Sequence, residues 1–254
     1  MAIHDAYEPE GSPIITPGNF FEKLEKIADV AVACFSYKAL RHVLDHYEHE
    51  LYYRFQATAN GAMDIYYLPQ FGVLFFMSPT GASLAGGLLH LISYFSGVTK
   101  FVYFGSCGVL DPSLRGKFIA PISCYREEGY SYHYAPPSKY MPIKNHETVA
   151  KFIDSLGYPV VSGKGWTTDA MLNETRAKVA ARKEEGVLCV DMEGSGLQAI
   201  ANHLGLELYL FFFSGDIVQD EWVRGDLGGE EERRRQSSAV EVALELGKSL
   251  ANAE

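Results

Sequence analysis

The sequence predicts an α/β fold, a single domain with a central mixed β-sheet flanked by helices. Three observations point to it. Short, continuously apolar runs recur along the chain, as in DVAVACFS (29–36), KFVYFGSCG (100–108) and LYLFFF (208–213), each the length of a strand covered on both faces. Segments with helical spacing separate those runs. No repeat, linker or low-complexity stretch interrupts the 254 residues, a length at which an α/β domain buries a large core alone. The domain is therefore expected to span 1–254. Residues 1–19, with three prolines and two glycines, form an irregular arm.

Taken in order, the first strand is the run at 29–36. KALRHVLDHYEHEL (38–51) follows as a helix, with Leu40, Val43, Leu44 and Tyr47 on one face. MDIYYLP (63–69) and GVLFFMS (72–78) read as two strands, ASLAGGLLHLISYFSG (82–97) as a buried helix, and 100–108 as a strand entering a glycine turn. KFIAPISC (117–124) is a further strand, followed by the aromatic-rich EGYSYHYAPPSKY. HETVAKFIDSLG (146–157) is a helix ended by Gly157, and YPVVSG is a strand. GKGWTTDAML (163–172) reads as a loop entering a helix over 170–184, with Asp169 placed to cap it. GVLCVDME is a strand turning into the helix SGLQAIANHLG, LELYLFFFSGD is a continuously apolar strand, and 231–252 is a charged amphipathic helix.

Composition narrows the function classes. A formal net charge of −10 argues against a nucleic-acid surface, which requires clustered Lys and Arg, but leaves room for a small anion in one locally positive pocket. Cys34, Cys107, Cys124 and Cys189 are widely spaced, without a CxxC pair, so neither a zinc ribbon nor a disulfide framework is expected. The acidic start lacks the apolar core of a signal peptide, and no apolar run is long enough to span a bilayer. A cytoplasmic location without membrane contact is the expectation.

In such sheets ligands gather where strands end. GSCG (105–108) exposes backbone N–H groups and the Ser106 hydroxyl, which suit an anion, although a tight turn uses the same glycines. VDMEGSGL (190–197) carries Asp191 and Glu193 out of an apolar strand, where carboxylates must be solvated, paired or in use. FFFSGD (211–216) ends in Asp216, which could equally cap a helix. WTTDAML is the fourth loaded exit.

Together, FGSCGVL, EEGYSYHYAPP, GWTTDAMLNETR, CVDMEGSGLQAIA and FFFSGDIV stand in the order and spacing of a known family over roughly residues 100–220. The chain resembles the nucleoside phosphorylases, which include purine nucleoside and uridine phosphorylases and related nucleosidases. The resemblance implies that Glu193 accepts hydrogen bonds from the ribose diol, with Met192 against the sugar and Asp191 as a supporting acid. By the same resemblance, Ser106 and the amides around Gly105 and Gly108 would face phosphate or the attacking water, and Asp216 would protonate or hydrogen-bond the departing base. Tyr134, Trp166, Thr167, Glu174 and Arg176 fall where the family holds the base. For Tyr134 core packing is an equal alternative, and for Arg176 a surface role.

Three departures stand out. Tyr103 occupies the place of a family arginine that grips phosphate. The loop ACFSYKAL lacks a second family arginine, leaving Lys38 as its only cation, with Arg54 or a neighbouring subunit as other sources of charge. The family's N-terminal histidine has no counterpart in SPIITPGNF. The hydrolytic members' glutamate after the first strand is also missing from ACFSYK.

The leading expectation is phosphorolysis of a nucleoside, with phosphate as co-substrate, no other cofactor, no metal and a homo-oligomeric assembly (dimer or trimer of dimers). The alternatives are hydrolysis of the same bond and a non-catalytic nucleoside-binding or storage protein. Other motifs carry less. His42, His46 and His49 could face a metal but suit a polar helix face better, and EEERRR (230–235) suits a solvated one. GASLAGG lacks the lysine of a P-loop, and no GxSxG elbow is present.

Overall fold

A computed structural model describes residues 3–58, 61–225 and 228–253; Met1 and Ala2 of the expected arm lie outside them. The elements in chain order are β1 (Val30–Cys34), α1 (Tyr37–His46), β2 (Glu50–Thr58), β3 (Gly61–Leu68), β4 (Val73–Met77), α2 (Ala82–Ser96), β5 (Lys100–Val109) and β6 (Phe118–Glu127). They continue with β7 (Tyr140–Pro142), α3 (His146–Ser155), β8 (Val160–Thr168), α4 (Arg176–Glu184), β9 (Val187–Asp191), α5 (Gly194–Leu204), β10 (Glu207–Val218), β11 (Trp222–Val223) and α6 (Glu230–Ala251).

The strands form one mixed sheet in the order β11-β10-β6-β8-β9-β5-β1-β4-β3-β2, with β7 on the edge of β6. β10 pairs with β5 as well as with β6, so β5, β9, β8, β6 and β10 close on one another. That closure puts the exits of β5, β9 and β10 side by side, with Cys107 opposite Ser214 and Gly108 opposite Val190.

Alternation along β1 explains the layers. Ala31 and Ala33 face a core shared with α2 and α5, whereas Val30, Val32 and Cys34 face one shared with α1, α3 and α6. A third cluster, with Trp166 at its centre, joins Leu110, Val179, Val187, Val190 and Val218.

α2 and α5 approach closely because glycine faces the partner helix. A Cβ on Gly196 of α5 would lie 2.6 Å from Ala82 Cβ on α2, whereas Gly86 of α2 makes room for the Tyr130 ring of the turn at 130–133, 2.3 Å from where its Cβ would be. Gly196→Val is expected to destabilise the protein by about 2 kcal/mol through overpacking, read by urea denaturation. Unchanged stability would mean the helices separate freely.

Four expectations are corrected. The helix expected over 38–51 ends at His46; Tyr47 turns to extended backbone, and 50–58 becomes β2, paired antiparallel with β3. GKGWTT is not a loop but the end of β8, which runs parallel between β6 and β9. The expected helix over 170–184 is a short turn at Met171–Asn173 followed by α4, whose N-cap Thr175 accepts a hydrogen bond from Lys178 N. Asp169 caps neither, accepting instead from Gly129 N at 2.9 Å.

Candidate active site

Where β5, β9 and β10 end, their side chains enclose a cavity of about 230 Å³. Ser106, Cys107 and Gly108 come from β5, and Val190, Asp191, Met192 and Glu193 from β9 and its exit. Asp216 and Val218 come from β10, Phe35 and Thr80 from the ends of β1 and β4, and Met171 and Glu174 from the approach to α4.

Local structure aims each group. The β10–β5 register breaks between Ser214 and Ile217, and such an irregularity re-aims a side chain, here Asp216. Gly108 lets this corner close: a Cβ there would lie 2.8 Å from Val218, 3.0 Å from Val190 and 3.4 Å from Asp216 Oδ1. Ser106 is the one exposed position in the exit half of β5.

Asp191 organises the start of α5. Its Oδ1 accepts from Glu193 N at 2.8 Å and Gly194 N at 2.6 Å, two amides that a helix start leaves unpaired. The Thr167 hydroxyl donates to the same carboxylate at 3.2 Å and itself accepts from Ser195 N. Glu193 is thereby held by its backbone with its side chain free to reach across the cavity, where Oε1 accepts from Gly81 N at 2.7 Å. Gly81 adopts φ +98°, a conformation glycine alone takes readily, and this points its amide at Glu193.

The cavity is acidic. Glu174, Asp191, Glu193 and Asp216 line it, and no Lys, Arg or His does among the described residues. Burial, followed by the charge of Asp191, pushes Glu193 up to about 8, although the Gly81 amide pulls the other way. Burial also lifts Asp191 to about 6 against its amide donors. Burial and the charges of Asp216 and Glu127 lift Glu174 to about 7, opposed by Lys178.

Raised carboxyls make the folded chain bind more protons than the unfolded one, so stability falls as pH rises through each window. The windows run from 3.8 to about 6 for Asp191 and from 4.5 to about 7 and about 8 for Glu174 and Glu193. The melting temperature of the ligand-free protein is expected to fall between about pH 4 and 8 as these groups titrate, and Glu193→Gln to flatten the fall between about pH 4.5 and 8. An identical slope in the variant would contradict this assignment.

Of the residues singled out in the sequence, Ser106, Cys107, Gly108, Asp191, Met192, Glu193, Glu174 and Asp216 meet in this cavity. The others do not line it. Trp166 and Thr167 are fully buried in β8, one in the third core cluster and the other on Asp191. Gly105 is buried, with Phe35 where its Cβ would be. Lys38 is exposed on α1, and exposed Arg176 donates to Asp220 O at 2.9 Å. Arg54 pairs with Asp64 at 2.6 Å. Tyr103 is buried among the rings of Phe35, Phe76 and Phe101. Tyr134 packs on Tyr130 and His203 and lines a different cavity, together with the N-terminal arm. His42 and His46 stack at 4.3 Å, and no metal-binding cluster occurs among the described residues.

The profile of the phosphorylase superfamily matches residues 29–252. The chain belongs to the phosphorylase superfamily. A curated relative is the purine nucleoside phosphorylase DeoD-type of Caldanaerobacter subterraneus subsp. tengcongensis, 24% identical over 155 residues. That match covers 59% of this chain and 65% of the relative. The mixed sheet and the six α-helices of the described residues agree with this membership, and no described helix is long and apolar enough to cross a membrane.

Several neighbours of the superfamily motifs escaped the sequence. Thr80 and Gly81 belong to a stretch without phosphate-loop spacing, yet one lines the cavity and the other holds Glu193. Glu128 is buried beneath the site, accepting from Ser195 Oγ at 2.8 Å and Ser131 N at 2.9 Å. Arg126 secures the same loop, with Nε donating to Ser131 Oγ and its guanidinium 4.1 Å from the Tyr132 ring. Trp222, on β11, donates its indole N–H to Asp216 Oδ2 at 2.5 Å.

Proposed function

We propose that the chain cleaves the N-glycosidic bond of a ribonucleoside with phosphate as acceptor, giving free base and ribose 1-phosphate. The observation that carries this reading is the single cavity joining Ser106, Glu193 and Asp216. Superfamily membership and the nucleoside phosphorylase relative support the reaction class.

In this reading the ribose hydroxyls donate to Glu193, with Met192 against the sugar. The acceptor lies by Ser106 and the strand-exit amides, and the base faces Glu174 and Asp216. Breaking the bond leaves positive charge on the sugar, which the surrounding carboxylates stabilise, while a proton from the acidic side relieves the departing base. No cofactor beyond phosphate is needed. The protein works as a homo-oligomer in the cytoplasm, and sedimentation is expected to give a dimer or larger; a monomer at assay concentration would contradict this.

A second reading has water as the acceptor. It is favoured by the cavity's charge, since no cation lines it among the described residues and Tyr103 is buried elsewhere. Each missing cation at about 4 Å from phosphate forgoes roughly 4 kcal/mol at an effective dielectric near 20. Base release from uridine, inosine and adenosine, measured with and without phosphate, separates the readings. Phosphate-dependent release is expected, phosphate-independent release favours water, and binding without release contradicts both.

A further inference from the structure

We propose that the chain carries a second site for a phosphate group, held by Lys117, Arg234, Arg235 and Ser238 between the start of β6 and the first turns of α6. A cavity of about 210 Å³ opens there, floored by the rings of Phe118, Tyr158 and Phe213. Cations line it and no carboxylate does, the reverse of the cavity at the strand exits. In a chain of net charge −10, such a cluster is where an anion concentrates. No residue lines both cavities, and Phe118 and Phe213 belong to the core on the α6 face of the sheet.

The helix brings its donors together. Arg234 and Arg235 stand four and three residues before Ser238, spacings that share one stretch of helix surface. Lys117 joins them from the residues leading into β6. The Arg235 side chain is only 16% exposed, and its Nε is buried with no hydrogen-bond partner among the described residues. A charged donor left unpaired in the interior is costly, and an oxyanion supplies the acceptor it lacks. Nε and a terminal nitrogen form the fork with which a guanidinium grips two oxygens of one phosphate.

Neighbouring carboxylates do not fill this role. Glu231 lies 3.6 Å from Arg235 Nη1 and 3.4 Å from Arg115, and Glu230 lies 3.3 Å from Arg234. Both glutamates are exposed, and such pairs contribute little and are screened by salt. Glu241 accepts from the Tyr158 hydroxyl at 3.5 Å, a long and weak contact. The Gly116 amide, also at the cavity, is given to Ser214 Oγ at 2.8 Å, so binding falls to the side chains. The cations select a dianionic phosphate group, and the three rings leave an apolar surface for the small body of a phosphate monoester.

Titration calorimetry at constant ionic strength, with inorganic phosphate and with phenyl phosphate, tests the site in wild type, Arg235→Gln, Lys117→Gln and Ser106→Ala. Circular dichroism checks each fold, and Lys117→Gln, outside any helix or strand, carries the test if Arg235→Gln does not fold. Saturable binding is expected in wild type, weaker by about tenfold or more in Arg235→Gln and Lys117→Gln, and retained in Ser106→Ala. Tighter binding of phenyl phosphate than of phosphate identifies a monoester as the ligand, and equal or weaker binding identifies the free ion; either supports the site. Wild-type affinity in both basic-residue variants, or loss in Ser106→Ala alone, puts phosphate only at the strand exits and overturns the proposal. Heat that grows without saturating, as charge screening gives, overturns it too. Whether base release needs phosphate is a separate measurement, so this site and the cleavage reading stand or fall independently.

Discussion

Glu193→Ala is expected to lower kcat/KM for ribonucleosides by about 10²–10⁴-fold while the fold persists. The side chain is buried at one wall of the cavity, and the backbone amide of Gly81 donates to one of its oxygens. Glu193 also lines the cavity in which the proposed ribose is to sit. Leaving a buried hydroxyl without its acceptor costs about 1–3 kcal/mol, so losing two such bonds removes roughly 2–6 kcal/mol of transition-state binding. The loss depends on the hydroxyls, so the preference for ribonucleosides over 2′,3′-dideoxynucleosides should collapse in the variant. Steady-state kinetics on both sugar types, beside a circular dichroism control, read this out. Wild-type turnover in Glu193→Ala would remove it from the site.

The second large effect is on stability. Asp191→Ala is expected to cost about 3–5 kcal/mol, because truncation leaves buried donors without their acceptor. Those donors are the amides of Glu193 and Gly194 and the Thr167 hydroxyl, all buried with Asp191 beneath α5. For a chain of this size such a loss lowers the melting temperature by roughly 10 °C or more. Asp191→Asn keeps one acceptor oxygen and should lose distinctly less. A change below about 1 kcal/mol for Asp191→Ala would contradict the view that this carboxylate anchors the helix.

The sheet's centre was legible because both faces of β1, β5 and β10 are covered, which forces unbroken apolar runs. The exits were legible for the complementary reason, since Ser106, Glu193 and Asp216 are polar residues where such runs stop. GKGWTT misled because glycine signals a turn as readily as close packing. At Gly163 a Cβ would lie 2.4 Å from Leu188 and at Gly165 3.1 Å from Cys124 Sγ, so these glycines admit neighbouring side chains to a strand. Trp166 then needs no ligand to explain it, being the centre of a core cluster. Gly81 reaches Glu193 across 112 positions of sequence through a backbone atom, which no side-chain pattern reveals. Trp222 lies only six residues beyond Asp216, yet its role depends on β11 folding back along β10.

The most direct measurement is a structure with a C-nucleoside bound, whose carbon–carbon glycosidic link cannot be cleaved. The ribose hydroxyls are expected within about 3 Å of Glu193, with the base edge at Glu174 and Asp216 and the open face of C1′ toward Ser106. A ligand seated elsewhere, as in the cavity beside Tyr134 and the N-terminal arm, would contradict the account.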